Sequence, residues 1–185
     1  MSTRESIVAF FPEVQHLQEA ALRKQVVDTW LRAWRQSGLG ERLPEVPFSL
    51  EAPTETLVRH VRRVIQAATV LATHSLAEGG PAFDWDVLRA ACLLHDVDKV
   101  LMFEPAEGGA WRKAAVARRL PHGVLGAMLC REEGVPEAVV HLVATHAANS
   151  PLPPEPFEGV ILHYADFFAA DSAFFEAGAR LLMQR

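Results

Sequence analysis

Apolar residues recur along most of this chain in steps of three and four, the spacing that gathers side chains on one face of an α-helix. Val14, Leu17, Ala21, Leu22, Val26, Trp30 and Trp34 form the first such stripe and predict a helix from about Pro12 to Ser37, closed by Gly38 and Gly40. The stretch from Leu43 to Pro53 holds three prolines and predicts an extended connector that wraps the domain, anchored by Val46, Phe48 and Leu50. Leu57, Val61, Val64, Ala68 and Leu71 mark a second helix starting near Thr54, a good N-cap residue, with Glu55 in its first turn. Asp84 is placed to cap a third, which carries Val87, Leu88, Ala91, Leu94 and His95. From Phe103 to Leu120 the pattern weakens, and Pro105, Gly108 and Gly109 predict a loop with room for a short helix after Trp111. Further helices are expected from about Pro121 to Glu133, stopped by Gly134, from Pro136 to about Ala148, and from Phe157 to at least Phe175. A loop, Asn149 to Pro156, separates the last two.

No run alternates long enough to make a half-buried strand. The expected fold is all-α, a single-domain helical bundle of roughly six or seven helices, with residues 1–53 packed on a helical core of residues 54–185. Half of the 185 residues are hydrophobic and 22% are charged, the balance of a folded globular chain. The net charge of −5 gives no general electrostatic footprint for nucleic acid. Two cysteines, Cys92 and Cys130, are too few for a disulfide scaffold and point to a reduced, cytoplasmic setting as buried small hydrophobes. The opening residues lack the apolar run of a signal peptide, and no stretch is long and apolar enough to span a membrane.

The informative excess is in histidine: eight, against one tyrosine and three lysines. His60 falls on the second helix, His95 and Asp96 at the end of the third, His122 at the start of another, His146 late on the next and Asp166 inside the last. Each gap is about one helix plus one connection, so successive helices could present these residues at one level of a bundle, as helical bundles do when they build metal centres. Their neighbours argue for an inward orientation. His60 shares the stripe of Leu57, Val61 and Val64; His95 follows Cys92, Leu93 and Leu94; His146 comes one turn after Leu142 and Val143. Asp166 sits among Leu162, Ala165, Phe167 and Ala169, where a buried carboxylate needs a partner and a metal ion is the strongest available. Imidazoles with carboxylates suit Fe, Mn, Zn, Co or Ni better than Mg or Ca.

In this order, His, His-Asp, His, His, Asp, the chain resembles the metal-binding signature of the HD superfamily of metal-dependent phosphohydrolases over roughly Leu57 to Ser172. The block LLHDVDKVL is similar to the family's core motif, and YAD to the surroundings of its last carboxylate. The resemblance implies two divalent transition-metal ions, one held by His60, His95, Asp96 and Asp166, the other by Asp96, His122 and His146, with Asp96 shared. It further implies a phosphohydrolase that cleaves a phosphomonoester or phosphodiester in a nucleotide or small phosphorylated metabolite by a metal-activated hydroxide. Asp96 and Lys99 would be catalytic, and Lys99, Arg118 and Arg119 would contact phosphate. His163, three residues before Asp166, is a candidate to orient it. Asp98 departs from the family pattern, which often has glycine there, and an extra carboxylate would either repel substrate phosphate or bind Lys99. A di-iron oxygenase and a non-catalytic metal- or nucleotide-binding protein use overlapping ligand sets and stay open as alternatives.

The remaining singular residues take plainer readings. His16, His74 and His141 are expected at the surface or in packing, Trp30 and Trp34 in the core, and Arg59, Arg62 and Arg63 on a solvated flank. The pairs Phe167-Phe168 and Phe174-Phe175 exceed what one helix face can bury and suggest a homodimer surface.

Overall fold

The computed structural model describes every residue except 1, 2, 148, 149, 151 and 154, so the expected helix end at Ala148 and part of the Asn149–Pro156 loop lie outside the described residues. Among the described residues there are eight α-helices: α1 (Arg4–Phe10), α2 (Ala20–Ser37), α3 (Leu57–Ala77), α4 (Trp85–Leu94), α5 (Lys99–Met102), α6 (Val124–Glu132), α7 (Glu137–Thr145) and α8 (Phe157–Glu176). The fold is all-helical in its core, as the periodicity predicts.

α4 is the centre. Leu88, Ala90, Ala91, Cys92, Leu93 and Leu94 are all buried, so this helix is apolar nearly all round and is enclosed by α2, α3, α7 and α8. α3 and α8 pack along each other on one side, and α6 and α7 pair on the other. Residues of the first fifty positions, among them Ile7, Phe11, Trp30, Trp34 and Leu43, belong to the same buried cluster as the helices that follow. Trp30 is fully buried and its indole Nε1 donates to the Leu93 carbonyl at 2.8 Å, close to the end of α4. Trp34 donates to the Gly40 carbonyl at 2.6 Å.

Three expectations are corrected. The first predicted helix is in fact a 3₁₀ turn at Pro12–His16 followed by α2, with α1 added before it. The break has a tertiary cause: the Asp86 carboxylate accepts the Gln18 and Glu19 amides at 2.8 Å, taking backbone donors that a continuous helix would use internally. The connector is not merely extended. It holds a 3₁₀ turn at Gly40–Glu45 and an antiparallel hairpin, β1 (Pro47–Ser49) with β2 (Ala52–Thr56), registered Pro47 to Thr56 and Ser49 to Ala52. Thr54 and Glu55 lie in this hairpin, and the N-cap of α3 is Thr56, whose Oγ1 accepts the Arg59 amide at 3.2 Å. Val46 and Phe48 are buried as anchors, whereas Leu50 is only half-buried. The weak segment forms a second hairpin, β3 (Phe103–Pro105) with β4 (Trp111–Lys113). Strands of three to five residues are too short to show a readable alternation, which is why the sequence hid them.

A smaller cluster of Phe48, Ala52, Ala170, Ala173 and Phe174 joins the first hairpin to α8, with Leu181 and Leu182 packed against it. Of the paired phenylalanines, Phe174 is buried here while Phe168 and Phe175 are 69% and 77% exposed. No helix of the described residues is long and apolar enough to cross a membrane.

Candidate metal centre

The six predicted residues meet at the C-terminal ends of α4 and α7, beside α3 and α8. They form two groups, His60 with His95 and Asp166, and Asp96 with His122 and His146; within each, one ligand atom per residue lies within 4.8 Å of the others. Asp96 stands between them. Its Oδ2 is 3.4 Å from His60 Nε2 and 3.5 Å from His95 Nε2, while its Oδ1 is 2.8 Å from His122 Nε2 and 3.7 Å from His146 Nε2.

Local structure aims the rings. His95 and His146 are the C-cap residues of α4 and α7, where the last carbonyls of a helix lack intrahelical partners. Each ring folds back so that its Nδ1 lies 2.8 Å from the carbonyl three residues earlier, Cys92 and Val143 respectively. Nδ1 must be the donor to a carbonyl, so in the neutral ring the Nε2 lone pair faces inward. His60 projects from α3 with its ring stacked on Phe48 at 3.9 Å, and its Nε2 is 3.1 Å from Asp166 Oδ1. His122 differs: it lies in the turn before α6, partly exposed, followed by Gly123 at φ 87°.

This donor set fits a cation. His60 Nε2 and His95 Nε2 are 3.4 Å apart, and His122 Nε2 and His146 Nε2 are 3.1 Å apart. Ligands held about 2.1 Å from one ion are separated by roughly 3.0 Å at right angles and roughly 3.4 Å at tetrahedral angles. Three carboxylates, Asp96, Asp98 and Asp166, are gathered in this region, and Lys99 is the lysine that reaches it, its Nζ 2.6 Å from Asp96 Oδ2. Burial alone would raise Asp96; the Lys99 ammonium and His95 outweigh it and hold the carboxyl well below its ordinary range. Asp166 is likewise held low against burial, by His60 and His95. Burial pushes His60 and His146 down, keeping them neutral. His122 goes the other way: burial is outweighed by Asp98 and Asp96, which push it up to about 9, so that without metal a proton sits between the two carboxylates.

The cluster forms the floor of a cavity of about 440 Å³ walled by Phe48, Phe103, Phe167, Phe174 and Leu182, with Lys99 and Lys113 as its ammonium groups. Lys99 Nζ also lies 4.2 Å over the Phe48 ring. Arg118 and Arg119 fall in and after a 3₁₀ turn, exposed, and neither is among the residues that wall this cavity; the cation this segment contributes is Lys113, at the end of β4. No pattern on the chain marked Lys113, because the hairpin that delivers it was not legible. His163 packs on Phe167 and makes no hydrogen bond to Asp166 among the described contacts. Its ring turns along the helix to Phe167, one turn further on, with the centroids 4.5 Å apart. Asp98 neither binds Lys99 nor faces the cavity. It is fully buried, with Oδ2 accepting the Gly123 amide at 2.8 Å and Oδ1 3.0 Å from His122 Nδ1. Both cysteines are buried, and burial pushes their thiols up, away from reactivity.

An HD-domain model matches residues 57–171, more than half of the chain, and the chain belongs to the HD-domain family. That membership places it in a superfamily of metal-dependent phosphohydrolases. No match to the chain was found among curated proteins or solved structures.

Proposed function

We propose that this chain is a two-metal phosphohydrolase acting on a phosphate ester whose organic part is small and largely apolar or planar. The observation that carries the reading is the Asp96 carboxylate, which turns one oxygen toward each of two histidine-containing groups. His60, His95, Asp96 and Asp166 would hold one divalent ion, and Asp96, His122 and His146 the other. When bound, such ions acidify water toward neutral pKa and offset the charge of phosphoryl oxygens.

The chain's own groups do the rest. Lys99 lines the cavity from its floor, so rotation of its side chain exchanges an Asp96 oxygen for a phosphoryl oxygen. Lys113 supplies a second ammonium from the rim. The rings of Phe48, Phe103, Phe167 and Phe174 offer flat apolar surface to the ester's organic group and keep bulk water from the floor. Burial of His60, His95, Asp96 and His146 fixes their positions before substrate arrives.

The test is hydrolysis by purified protein reconstituted with Mn, Co, Ni, Zn or Fe(II), over a panel of phosphomonoesters and phosphodiesters. Turnover is expected with at least one redox-inert metal and is expected to fall at least a hundredfold in Asp96→Ala. Undiminished hydrolysis by Asp96→Ala would refute the assignment. Turnover confined to the iron form and dependent on O₂ would replace it with an oxygenase.

A further inference from the structure

Three of the four clustered histidines lie on or at the end of helices, and His95 and His146 owe their ring orientation to carbonyls of their own helices. His122 has no such support. It precedes α6, and the residues before it form a 3₁₀ turn and a bend rather than an α-helical turn that could offer a carbonyl. A partly exposed ring in a turn would ordinarily sample several rotamers. Something must hold it if it is to complete the second group.

We infer that Asp98 is a positioning residue that holds the His122 turn and selects which ring nitrogen faces Asp96 and His146. The inference rests on the metal-dependent reading of that group. Asp98 is the N-cap residue of α5, yet its side chain does not cap that helix. Both oxygens are directed at the His122 turn instead. Oδ2 accepts the Gly123 amide at 2.8 Å in a fully buried contact, which ties down the backbone beside His122. Oδ1 stands 3.0 Å from His122 Nδ1, an ion-pair contact outside hydrogen-bond geometry, and neither atom has another hydrogen-bond partner; that charge favours the proton on Nδ1 and leaves Nε2, 2.8 Å from Asp96 Oδ1 and 3.1 Å from His146 Nε2, to serve as ligand. The site thus has two anchoring schemes: helix-end carbonyls for His95 and His146, and an aspartate from another element for His122.

Asp98→Asn separates this from a purely structural role. The amide keeps the side-chain volume and an acceptor for the Gly123 amide, but places an N–H group against His122 Nδ1. The ring must then accept at Nδ1 and carry its proton on Nε2, where the ion belongs. Equilibrium dialysis against Mn(II) should give two ions per chain for the wild type and one each for Asp98→Asn and His122→Ala. In the metal-free protein, the ¹⁵N side-chain resonance of His122 Nδ1 should move from a protonated to an unprotonated position in Asp98→Asn. If that variant fails to fold, the Zn(II)-loaded wild type decides: Nδ1 of His122 must carry the proton, and an unprotonated Nδ1 overturns the inference. Two ions retained by Asp98→Asn while His122→Ala holds one would overturn it and leave the functional reading intact. Wild type that takes up no ion would instead defeat the functional reading, and the Nδ1 resonance in the metal-free pair would still decide the role of Asp98.

Discussion

Gly123→Ala is the sharpest single perturbation of the second group. Gly123 has φ 87° and ψ −36°, a region that side-chain-bearing residues occupy only under strain. A Cβ built there meets the Val143 carbonyl oxygen at 2.8 Å and the Ala144 carbonyl oxygen at 3.3 Å. Both are backbone atoms of α7, which is packed against α6 and cannot yield by a rotamer change. The backbone conformation costs about 1–3 kcal/mol. Relief of the overlap adds to this, and we expect a total near 3 kcal/mol, or a melting temperature lower by about 6–12 °C for a chain of this size. The turn must also move away from α7, which carries His122 away from His146. Thermal unfolding followed by circular dichroism, in chelator and in Mn(II), measures both effects: the variant should melt earlier in chelator and gain less from metal than the wild type does. A variant that melts within about 1 °C of wild type under both conditions would show that the close approach of Gly123 to α7 has no part in the site.

Two further outcomes follow from Trp30 and His122. Trp30→Phe leaves the buried Leu93 carbonyl without its 2.8 Å donor and opens a gap against Phe11, so urea denaturation should show about 2–4 kcal/mol of lost stability with an unchanged m-value; a loss under about 0.5 kcal/mol would contradict the role given to that bond. In the metal-free protein, His122 is raised from 6.5 to about 9 because Asp98 and Asp96 outweigh its burial, so its protonated form contributes stability that is fully present below pH 6.5 and lost as pH rises through about 9. Saturating metal should remove that loss, since a cation replaces the proton; melting temperatures from pH 6 to 9.5 that run parallel with and without metal would be inconsistent with this.

Local information reached far along this chain. The stripe Leu57, Val61, Val64 fixed the face on which His60 lies, and the run before His95 was apolar enough to require burial in any packing. An α-helix brings residues three and four apart together wherever it sits, so stripe and ligand order were both written in spacing. What spacing cannot carry is a contact between elements. The break before α2 exists because Asp86, on α4, takes the Gln18 and Glu19 amides. Lys113 reaches the cavity only through a hairpin of two three-residue strands, and His163, one turn from Asp166 on paper, packs its ring on Phe167 instead. The sequence by itself determined the longer helices α3, α4, α7 and α8 and the apolar stripes that turn His60, His95 and His146 inward, because these depend on a residue and its near neighbours. Only the tertiary structure decided that Asp98 turns from Lys99 to His122, because a buried carboxylate takes whichever partners the packing delivers to it, and here the turn before α6, held close against α7, delivers a glycine amide and an imidazole.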